Sequence, residues 1–187
     1  MKSLRHALYP LLAMALLSFS ALAQAQYLVE VVVFSQPGAS IVPGAPPEHD
    51  WDQRAVSLED TTRTDVRYID ESRYSLDSQV EKLTAQGYQI KLHRAWTQPA
   101  EAGISVAVRD GSNLTEAAGE SLYPVQGLVT LHDEPLTAAV SFWLNQAGGN
   151  MAEPVSERLH MTRRLRLNEV HYLDHKSMGM LIRISRP

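Results

Sequence analysis

The sequence predicts an α+β domain: a mainly antiparallel β-sheet with one principal α-helix packed on it and a long irregular excursion near its N-terminus. Three observations carry this. Tyr27 to Phe34 is a β-branched, almost wholly apolar run. Several later segments alternate apolar and polar residues with period two. One stretch, Leu76 to Gly87, repeats its apolar residues at helical spacing instead.

Lys2 and Arg5 precede an uncharged run from Ala7 to Ala23, which ends in Ala21-Leu22-Ala23 and Ala23-Gln24-Ala25. A positive start, an apolar stretch and small residues at the exit predict a secretory signal peptide over 1–25, cut after Ala23 or Ala25. A membrane-spanning helix needs about 20 predominantly apolar residues, and this run is shorter and contains Pro10. The expected product is a single domain, 26–187, in the periplasm of a Gram-negative cell. The chain has no cysteine, which excludes a disulfide framework, a cysteine nucleophile and a lipid anchor on an N-terminal Cys. The formal net charge is −4, and loss of Lys2 and Arg5 makes it more negative. That argues against a nucleic-acid partner.

The first predicted strand, Tyr27 to Phe34, reads as central and buried on both faces apart from Glu30. Pro37 to Pro47 is a Pro- and Gly-rich loop, and Glu48 to Arg73 is the irregular excursion, with room for one short helix. Ser75 reads as a helix N-cap, Leu76, Val80 and Leu83 as one apolar stripe, and Gly87 as the helix stop. Tyr88 to Trp96 alternates strictly, with Tyr88, Ile90 and Leu92 on one side and a wet face opposite. Ile104 to Val108 is a short strand, and Arg109 to Ser121 is polar and loose. Gly127 to His132 pairs through a turn at Asp133-Glu134-Pro135 with Leu136 to Leu144. Gly148-Gly149-Asn150 is the next turn. Leu159 to Leu167 alternates again, placing Arg164 and Arg166 on one face, and Gly179 to Ile184 is the last strand.

Candidate site residues follow from these faces. Trp143 lies opposite Val140, Phe142 and Leu144, so its indole falls outside the core, where it could stack on a sugar unless a loop or helix covers it. Trp51 and Trp96 read as plugs at the core edge. Arg163, Arg164, Arg166 and Arg183 form a positive patch, and guanidinium forks suit carboxylates. His171, Tyr172, Asp174 and His175 form the densest polar cluster. On a helix His171 and His175 would hold a metal; in an extended segment their polar groups fix a turn by bonding to backbone. No Gly-x-Ser-x-Gly or Ser-x-x-Lys motif is present, no cofactor is implied, and no catalytic residue is expected.

Arg163 to His175, followed by Met178 to Ile184, resembles the C-terminal signature of the CsiV family, periplasmic peptidoglycan-binding proteins of gamma-proteobacteria. The pattern is an Arg-rich strand, a Glu-x-His-Tyr-Leu-Asp-His element and a Gly-led apolar strand. Tyr27 to Phe34, Glu48 with Trp51, and Leu92 to Pro99 are similar to the family as well. Arg109 to Tyr123 departs from it, being longer and more polar. The resemblance implies peptidoglycan as partner. It also implies support of a bifunctional penicillin-binding protein through its outer-membrane lipoprotein activator. It carries over no ligand-binding positions. The expected function is therefore non-catalytic wall binding through Trp143, Arg164 and Arg166. The alternatives are an envelope adaptor that binds only protein, and a metal-dependent enzyme built on His171, Asp174 and His175.

Overall fold

A computed structural model describes residues 25–100, 103–115, 121–148 and 153–187. Residues 1–24 of the expected signal peptide and the Gly149-Asn150 part of the predicted turn fall outside them.

The strands form two five-stranded sheets. The first is built from β1 (Gln26–Ser35), β3 (Arg67–Tyr68), β4 (Gln89–Pro99), β9 (Val170–His175) and β10 (Met178–Ser185). Its spatial order is β3-β4-β1-β10-β9. The second is built from β2 (Val56–Ser57), β5 (Ser105–Asp110), β6 (Val125–His132), β7 (Thr137–Gln146) and β8 (Val155–Arg164), and its order follows the sequence. All pairings are antiparallel except the short one of β2 with β5. One α-helix occurs among the described residues, α1 (Asp77–Ala85), so the α+β expectation holds.

One apolar cluster joins the two sheets. Val29, Val31, Val33, Trp96 and Ile182 meet Val106, Val129, Val140, Phe142 and Leu159, all at most 1 % exposed. Burying each such side chain stabilises the fold by about 1.5–3 kcal/mol before chain entropy is counted. A smaller cluster, Val32, Phe34, Leu76 and Leu181, seats α1 on the outer side of the first sheet. The layers are therefore helix, sheet, sheet. This is why β1, central in its sheet, is apolar on both faces: one faces the second sheet and the other faces α1.

Three local expectations need correction. Ser75 does not cap α1 with its own side chain; Leu76 occupies the cap position with no side-chain bond. The acceptor comes instead from Glu30, which is fully buried. The alternation of Tyr88, Ile90 and Leu92 does not persist on one face. The register with β1 shifts between Val33 and Phe34, so Leu92 pairs with Val33 and Ile90 with Phe34. The bulge leaves Lys91 unpaired and sends Leu92 into the inter-sheet core while Ile90 packs beneath α1. No wet face remains on the core of β4. Finally, His171 to His175 is not a turn between strands but the edge strand β9.

Two glycines hold close approaches. An added Cβ at Gly127 would lie 2.3 Å from the ring of Phe142, its cross-strand partner, and one at Gly179 would lie 2.7 Å from Phe34. Each aromatic ring covers the bare backbone of the neighbouring strand.

Candidate functional site

A cleft of about 1130 Å³ opens where β8 ends and β9 begins. Its position follows from chain order. β8 closes at Arg164, the chain crosses to the first sheet through Leu165 to Glu169, and β9 starts at Val170. Leu165 is buried, and its N–H donates to Leu136 O at 2.9 Å, which anchors the crossing. The flanking Arg163, Arg164 and Arg166 are exposed and line the cleft. The expected sharing of a strand face by Arg164 and Arg166 does not apply, because the strand stops between them; the cleft brings them together instead.

Arg183, placed with these arginines by the sequence, departs from them. It lies beneath the helix side of β10 and donates to Ser75 Oγ at 2.9 Å. Arg186 takes its place. The antiparallel pairing of β1 with β10 matches Leu28 with Ser185, so Tyr27 and Arg186 meet at the same end. The Arg186 guanidinium sits 4.3 Å from the Tyr27 ring centroid, and both residues line the cleft. Tyr27 donates its hydroxyl to Asp133. Burial raises the Tyr27 pKa, and Asp133 raises it further. Sequence periodicity had no way to show this corner, which depends on the pairing of the first and last strands.

Among the residues lining the cleft, four arginines outnumber the two carboxylates, Asp133 and Glu169. Arg166 pairs with Glu169 at 3.6 Å. Arg163, Arg164 and Arg186 form no ion pair with a described carboxylate. Three unpaired guanidiniums on an acidic protein make a local anion trap, suited to carboxylates.

The His171 to His175 cluster divides by strand alternation. His171, Leu173 and His175 face inward, and Tyr172 and Asp174 face out. His171 Nε2 accepts the Arg166 backbone N–H at 3.0 Å, so the imidazole shapes the floor of the cleft. Tyr172 donates to Asp174 at 2.8 Å and stacks on Phe34, with ring centroids 6.1 Å apart. Burial of the phenol, then its bond to Asp174, pushes the Tyr172 pKa up to about 12. Four residues of strand separate His171 and His175 by about 13 Å, too far to share an ion. The helical spacing on which a metal site would depend is absent. Among the described residues no group of three His, Cys, Asp or Glu side chains could hold a metal.

Trp143 lies on the outer face of the second sheet, as its alternation requires, but it is covered and only 4 % exposed. The Pro-rich loop lies over it, with Trp143 Nε1 donating to Ala45 O at 3.2 Å. Trp51 meets it edge-on at 5.9 Å. The more accessible ring of this pair is Trp51, which was expected to plug the core edge.

No described helix is long and apolar enough to cross a membrane. A family model described as "Peptidoglycan-binding protein, CsiV" matches residues 7–187, and no curated protein and no solved structure matches the chain.

Proposed function

This chain belongs to the CsiV family, and from that premise we propose that it is a non-catalytic peptidoglycan-binding protein of the periplasm that holds the wall through its arginine cleft. The observation that carries the reading is the set of guanidiniums of Arg163, Arg164 and Arg186, which line one cleft without a carboxylate partner. Wall stem peptides and lactyl groups present carboxylates, which two-pronged guanidiniums bind in preference to neutral sugars. Arg166, paired with Glu169, positions the rim. Export fits the N-terminal leader, and β1 begins at Gln26, just beyond the expected cut.

Co-sedimentation of the protein lacking residues 1–25 with isolated sacculi, across a salt series, tests this. Binding that falls steeply with salt is expected. Protein left wholly in the supernatant at every salt concentration would overturn it.

A second reading, an adaptor that docks an outer-membrane lipoprotein activator of a bifunctional penicillin-binding protein, is favoured by one observation. Among the described residues β9 is an edge strand, and Val170 and Tyr172 on it are 40 % and 50 % exposed. Such an edge accepts a partner strand. The two readings are compatible: the cleft would hold the wall while the edge holds the protein. Loss of the activator contact in Tyr172→Lys, with sacculus binding intact, is the expected result if both apply.

A further inference from the structure

We propose that the hollow between Trp51, Trp143 and Arg158 is a second ligand site, separate from the arginine cleft, which seats a pyranose ring of an N-acylated amino-sugar chain.

The hollow lies on the outer face of the second sheet and encloses about 150 Å³, the scale of one sugar ring. It adjoins a wider hollow of about 360 Å³ along Pro46 and Glu48, which gives a chain room to continue. Its roof is built, not loosely draped. Gly44 N–H donates to Ser156 O at 2.7 Å, and Val42 N–H donates to the buried Glu157 carboxylate at 2.7 Å. Glu157 also accepts Ser177 N–H at 3.0 Å, so the loop is tied to both sheets. Trp51 is thereby held against Trp143 without being needed to hold the loop.

The wall chemistry is that of saccharide recognition. Trp51, the more accessible indole, offers a flat apolar face to the C–H side of a ring, and the covered Trp143 backs it edge-on. Glu48 offers acceptors and Arg158 offers donors for the hydroxyls and the acyl carbonyl. Arg158 is poorly satisfied as it stands. Its guanidinium lies 5.0 Å over Trp143, and its one side-chain bond, to Ser141 Oγ, is long at 3.4 Å. Its Nε is buried with no partner, and it pairs with no described carboxylate. A buried N–H without an acceptor is destabilising, and a ligand oxygen would satisfy it. With Glu48 beside Arg158 the hollow is close to neutral, unlike the cleft, so its binding should respond little to salt.

The choice of ligand rests on the wall-binding reading, and the test separates the two. Uncharged strands of N-acetylglucosamine, which carry the acylated amino sugar but no carboxylate for the cleft, are titrated calorimetrically into the protein lacking residues 1–25. The same protein is assayed with whole sacculi. The expected result is binding of the strands that varies little with salt and weakens about tenfold in Trp51→Ala. Arg158→Lys keeps the charge but removes the Nε–H and should weaken binding similarly. It decides the matter if Trp51→Ala no longer unfolds cooperatively in urea. Strands bound equally by wild type and both variants, or sacculi bound but strands ignored, would overturn the sugar site and leave the cleft standing. Neither strands nor sacculi bound would overturn both.

Discussion

Ser75 and Glu30, 45 residues apart in the chain, meet where α1 begins: the Ser75 N–H donates to both carboxylate oxygens of Glu30 at 3.0 Å. Leu76 N–H adds a bond at 2.9 Å, His93 Nε2–H another at 2.9 Å, and the Ser75 hydroxyl a fifth contact. A carboxylate on the sheet thus supplies the acceptor and the negative charge that a helix N-terminus needs. Burial by itself would raise the Glu30 pKa. The bonds from His93, Ser75 and the two backbone N–H groups outweigh it and hold the carboxyl below its ordinary value.

The first prediction follows from that sign. A carboxyl whose pKa is lowered by folding adds stability above its unfolded value, and this is lost as pH falls through the folded one. Glu30→Gln, which also turns an amide N–H₂ toward donors, should cost about 2–4 kcal/mol at pH 7. The gap from wild type should be narrower at an acid pH, because stability held by the native carboxylate is lost as it gains its proton. Urea unfolding at the two pH values measures this; an equal gap at both would contradict it.

Arg163 and Arg164 should act on wall binding and not on folding. Both are exposed and without an ion-pair partner, so the double change to Ala should leave thermal unfolding within about 0.5 kcal/mol of wild type. Sacculus binding should weaken at low salt and lose most of its salt dependence. A salt response equal to that of wild type would remove these arginines from the site.

Trp143→Ala should behave as a core mutation. The indole is covered by the Pro-rich loop and tied to Ala45, so truncation leaves a void and releases the loop. A loss of about 3–5 kcal/mol is expected in chemical unfolding. Trp51→Ala, removing the more accessible ring, should cost much less. Equal costs would show that the pair acts as one packing unit.

Gly127→Ala adds a methyl 2.3 Å from the Phe142 ring carbon, well inside contact distance. Because Phe142 is fully buried, it has little space to yield, and about 1–3 kcal/mol of destabilisation is expected. Gly38→Ala has no atom within reach of its Cβ but sits at φ 68°, so its cost is backbone strain alone and should be smaller. Comparing the two thermal midpoints separates crowding from conformation.

Much of this protein was legible in the order of its residues. A nearly continuous apolar run located β1, turn residues bounded β6 and β10, and period-two alternation located β7 and correctly set Phe142 inward and Trp143 outward. The stripe Leu76, Val80 and Leu83 located the helix and the face it buries. The Arg-Glu-His-Tyr-Asp-His run at the C-terminus marked the family. These are local properties: side-chain direction depends on parity along a strand or on the helical turn, and parity is written in sequence.

What the sequence did not hold is which distant segments meet. The bulge at Lys91 is set by pairing with β1, and it reversed the faces of Ile90 and Leu92. The cap of α1 came from Glu30 across the sheet, not from Ser75 beside the helix. The Pro-rich loop folded over the second sheet covered the outer ring of Trp143, and the pairing of first and last strands moved Arg186, not Arg183, into the cleft. Each of these is a long-range contact whose energy depends on packing between segments far apart in the chain, so no window of neighbouring residues contains it.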